Sequence, residues 1–74
     1  MTEQELSVLI GARVAYLRKE KGLSQSELAA LIESEKQNIS RLERGLVNPG
    51  VHYLYKIADA LDCTLSELLE LDEI

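Results

Sequence analysis

One segment in the middle of the chain limits its fold most strongly, because it holds two short helical blocks separated by a tight break. Ser24 and Glu27 form a capping box, in which the serine hydroxyl accepts from the Glu27 amide and the carboxylate accepts from the Ser24 amide. A helix is therefore predicted from this box to about Ile32. The next three or four residues, centred on Glu33 and Ser34, interrupt the helical pattern.

The second helical block begins directly after this break. Ser34 is predicted to be its N-cap, and Gly45 is predicted to end it as a left-handed residue. Ile39 and Leu42 lie three positions apart, so they share the face that packs into the core. Two capped helices joined by so short a break predict a helix-turn-helix over residues 24–44.

The remaining sequence predicts three further helices. Helix one is predicted over about residues 4–20, with Gly22 as its left-handed C-terminal residue, because apolar residues recur there at helical spacing. These residues are Leu6, Ile10, Val14 and Leu17. The turn signal Asn48-Pro49-Gly50 precedes helix four. The apolar stripe of helix four consists of Leu54, Ile57, Ala58 and Leu61.

A second capping box, formed by Thr64 and Glu67, predicts a fifth helix over residues 65–72. No segment alternates between apolar and polar residues with a period of two, so no strand is predicted. A chain of 74 residues is the size of one domain. The sequence therefore predicts an all-α, compact five-helix domain over residues 1–74.

The composition argues against several kinds of site and partner. Cys63 is the only cysteine, so no internal disulfide can form, and no Cys/His cluster has zinc spacing. No carboxylate pair, Cys/His dyad or phosphate-binding loop points to an enzyme, and no cofactor, metal or small-molecule ligand is expected. The first five residues carry two acids and no base, and no apolar run approaches the ~20 residues of a membrane span. We expect a cytoplasmic protein with no membrane partner.

The charge of the chain is unevenly distributed. The net charge is −5, yet all eight bases lie between Arg13 and Lys56, where five acids leave a net charge of +3. The segments outside this stretch contain eight acids and no base. Because a polyanion responds to the potential within a Debye length, the basic middle of the chain is the part that can face nucleic acid.

Helix three carries the side chains best suited to contact DNA. The major groove of B-DNA accepts an α-helix, and arginine and lysine pair there with guanine, asparagine and glutamine with adenine, and serine with either. With Ile39 and Leu42 turned inward, the outward arc of this helix is polar and mostly positive. Its members are Lys36, Gln37, Ser40, Arg41 and Arg44.

Residues 10–71 resemble the Cro/CI-type, or XRE-like, helix-turn-helix family of phage repressors and bacterial regulators. The stretches that carry the resemblance are Leu17–Gln25, Glu27–Ala29, Ile39–Gly45, Asn48-Pro49 and Leu54–Leu61. The resemblance implies a lambda-repressor-like fold and sequence-specific binding of double-stranded DNA. It implies base contacts for Lys36, Gln37 and Arg41, and Ser40, which lies beside them, is also expected to contact a base. It implies phosphate contacts for Gln25, Asn38, Arg44 and Asn48, with Arg18 as a further candidate.

Two positions leave alternatives open. Arg18 matches a family arginine that often pairs with the acid at Glu43, so it forms either this ion pair or a phosphate contact. Glu33 stands where the family usually has glycine in the turn. Either the turn keeps a left-handed residue at a cost on the order of 1 kcal/mol, or it is reshaped and moves helix three.

Helix five carries more apolar side chains than so short a helix needs to bury, and we expect the surplus to form a homodimer interface. The side chains are Leu65, Leu68, Leu69, Leu71 and Ile74. Two copies would double the discrimination of a single recognition helix on a palindromic operator. The leading hypothesis is therefore a homodimeric repressor. The alternatives are an antitoxin, a restriction-modification controller protein, and a protein-interaction module that retains the fold.

Overall fold

The computed structural model describes residues 1–71, and its regular structure consists of five α-helices. They are α1 (Glu3–Glu20), α2 (Gln25–Leu31), α3 (Lys36–Glu43), α4 (Val51–Ala60) and α5 (Leu65–Leu68). Residues 1–71 contain no strand. The predicted all-α, five-helix fold is confirmed. None of the helices in this part of the chain is both long and apolar enough to cross a membrane.

Side-chain caps begin α2 and α5 as predicted. The Glu27 amide donates to Ser24 Oγ at 3.0 Å, and the Ser24 amide donates to the Glu27 carboxylate at 2.8 Å. Thr64 and Glu67 form the same pair of bonds at 3.0 and 2.8 Å. A third capping box, formed by Thr2 and Glu5, begins α1. This box was not predicted, although its signal, a threonine followed three residues later by glutamate, is present in the sequence.

Two predictions of helix boundaries are wrong. Ser34 is not the N-cap of α3; that position belongs to Glu35, which makes no side-chain capping bond. The Ser34 hydroxyl instead lies 3.1 Å from the hydroxyl of Tyr53, because α4 packs beside the turn. Helix α5 ends at Leu68 and not near residue 72, since Leu69 already has C-cap geometry. Residues 72–74 lie outside the described part of the chain.

The first four helices share one form of C-terminus. In the Schellman motif, the residue after the C-cap is left-handed, and its amide and the next one bond back to carbonyls near the helix end. At the end of α2 the amides of Glu33 and Ser34 donate to the carbonyls of Ala30 and Ala29 at 3.2 and 2.8 Å. The left-handed residues of the four motifs are Gly22, Glu33, Gly45 and Asp62, with φ of 73°, 56°, 74° and 60°.

Glu33 therefore keeps the left-handed conformation instead of reshaping the turn. Glu33→Gly is expected to raise the free energy of unfolding by about 0.5–1 kcal/mol, because glycine avoids the left-handed penalty but has greater freedom in the unfolded chain. Urea unfolding measures this change. Glu33→Ala is the control, since it removes the same charge and keeps Cβ. An equal gain in both variants would show that charge, and not backbone conformation, is responsible.

The core lies where α1, α2, α3 and α4 meet, and α5 closes one side of it. Ile39 and Leu42 are fully buried, which confirms that they form the inward face of α3. At the end of α2, Ile32 is 3% exposed and Leu31 is 59% exposed. Leu68 is fully buried as well, so α5 contributes to the core through this residue.

Close backbone contact fixes the position of α3 against α1. A Cβ added at Gly11 would lie 2.3 Å from the carbonyl oxygen of Leu42 and 2.8 Å from that of Glu43. At the end of α3, a Cβ added at Gly45 would lie 2.8 Å from the Cα of Val8. Helix α3 is therefore held against α1 at a distance that only glycine permits.

Candidate nucleic-acid interface

The packing of α3 determines which of its side chains reach solvent. Because Ile39 and Leu42 face the core, the opposite arc of the helix is left uncovered. Lys36, Gln37, Arg41 and Arg44 are exposed, and Ser40 is half-buried. The structure thus brings together on one face the residues predicted to contact bases and Arg44, which is predicted to contact a phosphate.

Hydrogen bonds orient several side chains on this face. Arg41 Nη2 donates to Asn38 Oδ1 at 3.3 Å, and Asn38 Nδ2 donates to Ser34 Oγ at 3.2 Å. Arg44 Nε donates to the carbonyl of Ser40 at 3.3 Å, which directs its guanidinium along the helix. These bonds hold three of the predicted DNA-contacting side chains, those of Asn38, Arg41 and Arg44, in defined directions.

Arg18 forms an ion pair beneath this face. Its Nε donates to one carboxylate oxygen of Glu43 at 2.6 Å and its Nη2 to the other at 3.0 Å, while Nη1 donates to the carbonyl of Leu23 at 2.8 Å. The side chains of Arg18 and Glu43 are only 10% and 6% exposed. The hydrogen bonds that Arg18 donates to the Glu43 carboxylate raise the pKa of Arg18 above its ordinary value. Of the two alternatives for Arg18, the structure supports the ion pair, because all three guanidinium nitrogens are engaged and buried.

Gln25 joins the same carboxylate from α2. Its Nε2 donates to Glu43 Oε1 at 2.9 Å. Glu43 is the last residue of α3, and it accepts hydrogen bonds from Arg18 in α1 and from Gln25, the first residue of α2. Its carboxylate therefore links three helices. The predicted phosphate-contacting side chain of Gln25 is thereby placed beside α3, with one amide hydrogen still available to a partner.

Asn48 lies in the loop after α3 and is exposed. Its Nδ2 donates to a carboxylate oxygen of Glu3 at 2.7 Å. This contact, which was not predicted, places an acid beside a residue predicted to contact a phosphate. No local signal could have found it, since the two residues are 45 positions apart.

Ion pairs refine the predicted distribution of charge. Besides Arg18, two bases of the basic middle pair with acids of the C-terminal part: Arg13 lies 3.6 Å from the Glu70 carboxylate, and Lys21 lies 3.5 Å from that of Asp62. The three bases of the helix-three segment, Lys36, Arg41 and Arg44, are exposed. These three bases lie on α3 and its C-cap, where they are accessible to a polyanion.

The predicted dimer side chains occupy different environments. Leu68 is fully buried in the monomer, so its assignment to a dimer interface is wrong. Leu69 is 37% exposed, and Leu65 and Leu71 are partly buried against the core. Ile74 lies outside the described residues. The surplus of apolar surface on α5 is thus smaller than the sequence pattern predicts.

Comparison with known proteins identifies the family. The family model HTH_3, described as helix-turn-helix, matches residues 14–68, which include all of α2, α3 and α4. The chain belongs to this family. The HTH-type transcriptional regulator y4dJ of Sinorhizobium fredii is 43% identical over 65 residues, covering 88% of this chain and 84% of that protein. The prediction of an XRE-like family member is confirmed, and so is the prediction of a DNA-binding transcription regulator.

Solved structures of similar fold agree with the HTH_3 assignment. The restriction-modification controller protein C.AhdI of Aeromonas hydrophila superposes with a TM-score of 0.87 at 35% identity, covering 92% of this chain and 99% of that chain. The biofilm regulator SinR in complex with DNA has a TM-score of 0.77 at 42% identity, covering 82% and 98%. The chain spans 57% of the length of SinR of Bacillus subtilis.

Proposed function

We propose that this HTH_3 protein is a homodimeric repressor that binds a palindromic operator, with one α3 in the major groove of each half-site. The observation that carries the proposal is the solvent face of α3, where polar and basic side chains are exposed directly opposite the buried Ile39 and Leu42. A repressor of this kind acts by occupying DNA that polymerase needs.

The proposed contacts divide into two sets. Bases are contacted by Lys36, Gln37, Ser40 and Arg41, all of which lie in α3. Phosphates are contacted by Gln25, Asn38, Arg44 and Asn48, which flank that face from α2, α3 and the following loop. Base contacts specify the sequence and phosphate contacts set the register, so the two sets are expected to respond differently to substitution.

Dimerisation supplies specificity that one subunit lacks. Each mismatched base pair costs only about 1–3 kcal/mol, and one recognition helix contacts few base pairs. A twofold dimer contacts two half-sites about 34 Å apart, which is one turn of the duplex. Leu69, with Leu65 and Leu71 beside it, is the apolar surface of the C-terminal part that we assign to the dimer.

A restriction-modification controller protein is the second candidate function. It is favoured by the similarity to C.AhdI, since the two chains align over 99% of the length of that protein. A controller of this kind would bind DNA through the same exposed face of α3. A pure protein-interaction module would not need the exposed Lys36, Gln37 and Arg41 together, whereas an antitoxin that binds DNA would use them as a repressor does.

Selection of bound duplexes from a random pool of about 30 base pairs, at near-physiological salt, tests the proposal. A recovered palindrome with half-sites about one helical turn apart is the expected result. Recovery of a single half-site would contradict the dimer. Recovery of no sequence above background, with the protein shown to be folded by circular dichroism, would favour the interaction module.

Arg41→Ala is expected to cost about 1–3 kcal/mol of binding free energy and to relax the base preference at one position of each half-site. Gln25→Ala is expected to weaken binding to all sequences alike, because its partner is the backbone. Equilibrium binding to the selected operator and to its single-base variants measures both effects. Equal losses on every sequence for the two variants would contradict the assignment of Arg41 to a base.

A further inference from the structure

A chain of hydrogen bonds connects α4 to the DNA-facing side of α3. The hydroxyl of Tyr53 lies 3.1 Å from Ser34 Oγ, which accepts from Asn38 Nδ2 at 3.2 Å. Asn38 Oδ1 in turn accepts from Arg41 Nη2 at 3.3 Å. Only the last member is exposed; the other three are half-buried. This series of hydrogen bonds therefore begins at a residue packed against the core and ends at a side chain proposed to contact a base.

The donors and acceptors in this series of hydrogen bonds determine how each side chain is oriented. The asparagine amide has a donor end and an acceptor end, so an acceptor at Ser34 selects the orientation in which Oδ1 faces Arg41. When the Ser34 hydroxyl donates to Tyr53, its only proton is engaged, and its oxygen is left to accept from Asn38 Nδ2. The ring of Tyr53 packs against the hydrophobic core, which holds the phenolic oxygen in place.

Arg41 needs such a tether because a shallow cleft lies beside it. The cleft is lined by Asn38, Arg41, Val47, Pro49 and Tyr53. An arginine side chain has many rotamers. The space beside Arg41 allows rotamers in which its planar guanidinium does not point toward a base. A side chain already held in its bound direction loses less freedom on binding.

We infer that Tyr53 is a positioning residue for sequence specificity: through Ser34 and Asn38 it sets the direction of the Arg41 guanidinium and hence the base preferred at the contacted position. The inference rests on the proposed function, in which Arg41 contacts a base. It concerns a residue of α4 whose hydroxyl is separated from that base by three side chains, those of Ser34, Asn38 and Arg41.

Tyr53→Phe tests the inference, because it removes the hydroxyl and keeps the ring. Binding is measured on the selected operator and on variants carrying each base at the position that Arg41→Ala relaxes. The expected result is a loss of discrimination at this position of about two- to tenfold, the usual effect of one hydrogen bond, with unchanged discrimination elsewhere. Ser34→Ala is expected to give the same change. In the Arg41→Ala background, Tyr53→Phe is expected to have no effect.

Tyr55→Phe is the matched control, since Tyr55 is an exposed tyrosine of the same helix two residues away. Urea unfolding of each variant checks that the fold is kept. If Arg41→Ala relaxes one position and Tyr53→Phe leaves discrimination unchanged, or weakens all sequences equally, the inference is overturned and the proposed function stands. If Arg41→Ala itself leaves base preference unchanged, the proposed role of Arg41 fails and the inference fails with it.

Discussion

Glu43→Ala is expected to lower the free energy of unfolding by about 3–5 kcal/mol, because it leaves the buried guanidinium of Arg18 without its counter-ion. The variant also removes the acceptor of Gln25 Nε2 and so loosens α2 from α3. A domain of this size has a net stability of only about 3–5 kcal/mol, so the variant is expected to be largely unfolded at 25 °C. Urea unfolding followed by circular dichroism measures the loss.

The control for this prediction is an exposed ion pair of the same protein. Lys21 lies 3.5 Å from the carboxylate of Asp62, whose side chain is 88% exposed. Lys21→Met is expected to change stability by less than about 1 kcal/mol, since surface pairs contribute little. Similar effects of Glu43→Ala and Lys21→Met would mean that the bond between Arg18 and Glu43 does not hold the helices together.

Gly11→Ala is expected to destabilise the domain by about 1–3 kcal/mol, or somewhat more. The added methyl group would lie 2.3 Å from the carbonyl oxygen of Leu42, and backbone atoms of α3 cannot move aside as a flexible side chain would. The sign of the effect is informative, because alanine is favoured over glycine by about 1 kcal/mol in an unobstructed helix. Relief of this clash requires α3 to move away from α1, so the affinity for the operator is expected to fall as well.

Ala12→Gly calibrates this second prediction. Ala12 is the exposed neighbour of Gly11 in α1, and the substitution is expected to cost about 0.5–1 kcal/mol through helix propensity alone. Thermal unfolding of both variants gives the comparison. A Gly11→Ala variant as stable as the wild-type protein would contradict the close approach of α1 and α3.

Most of the fold was predictable because its signals are local. The Ser24 and Thr64 boxes act over three residues, and Gly22 and Gly45 occupy left-handed positions that glycine adopts at little cost. The inward face of α3 followed from spacing within a single helix. Glu33 and Asp62 take the same left-handed conformation without glycine, since the helices packed on either side of each turn hold it there.

Two of the predictions that failed concern contacts distant in sequence. Serine is a residue type that favours the N-cap position. The Ser34 hydroxyl nevertheless bonds to Tyr53, which lies 19 residues away in another helix. Leu68 belongs to an apolar run that a pattern cannot divide into core and interface, and the packing of α5 places it in the core. Side-chain choices of this kind depend on which helices meet.

In the candidate site, too, local features were predictable from the sequence and contacts between helices were not. The sequence by itself determined which residue types occupy the outward arc of α3, because helical periodicity and two buried positions suffice to assign the face. Only the tertiary structure decided that Arg18 pairs with Glu43, that Glu3 bonds to Asn48, and that Tyr53 connects through two side chains to Arg41. The physical reason is that helix faces and caps depend on neighbours within four residues, whereas ion pairs and hydrogen-bond chains require helices brought together by the burial of a common core.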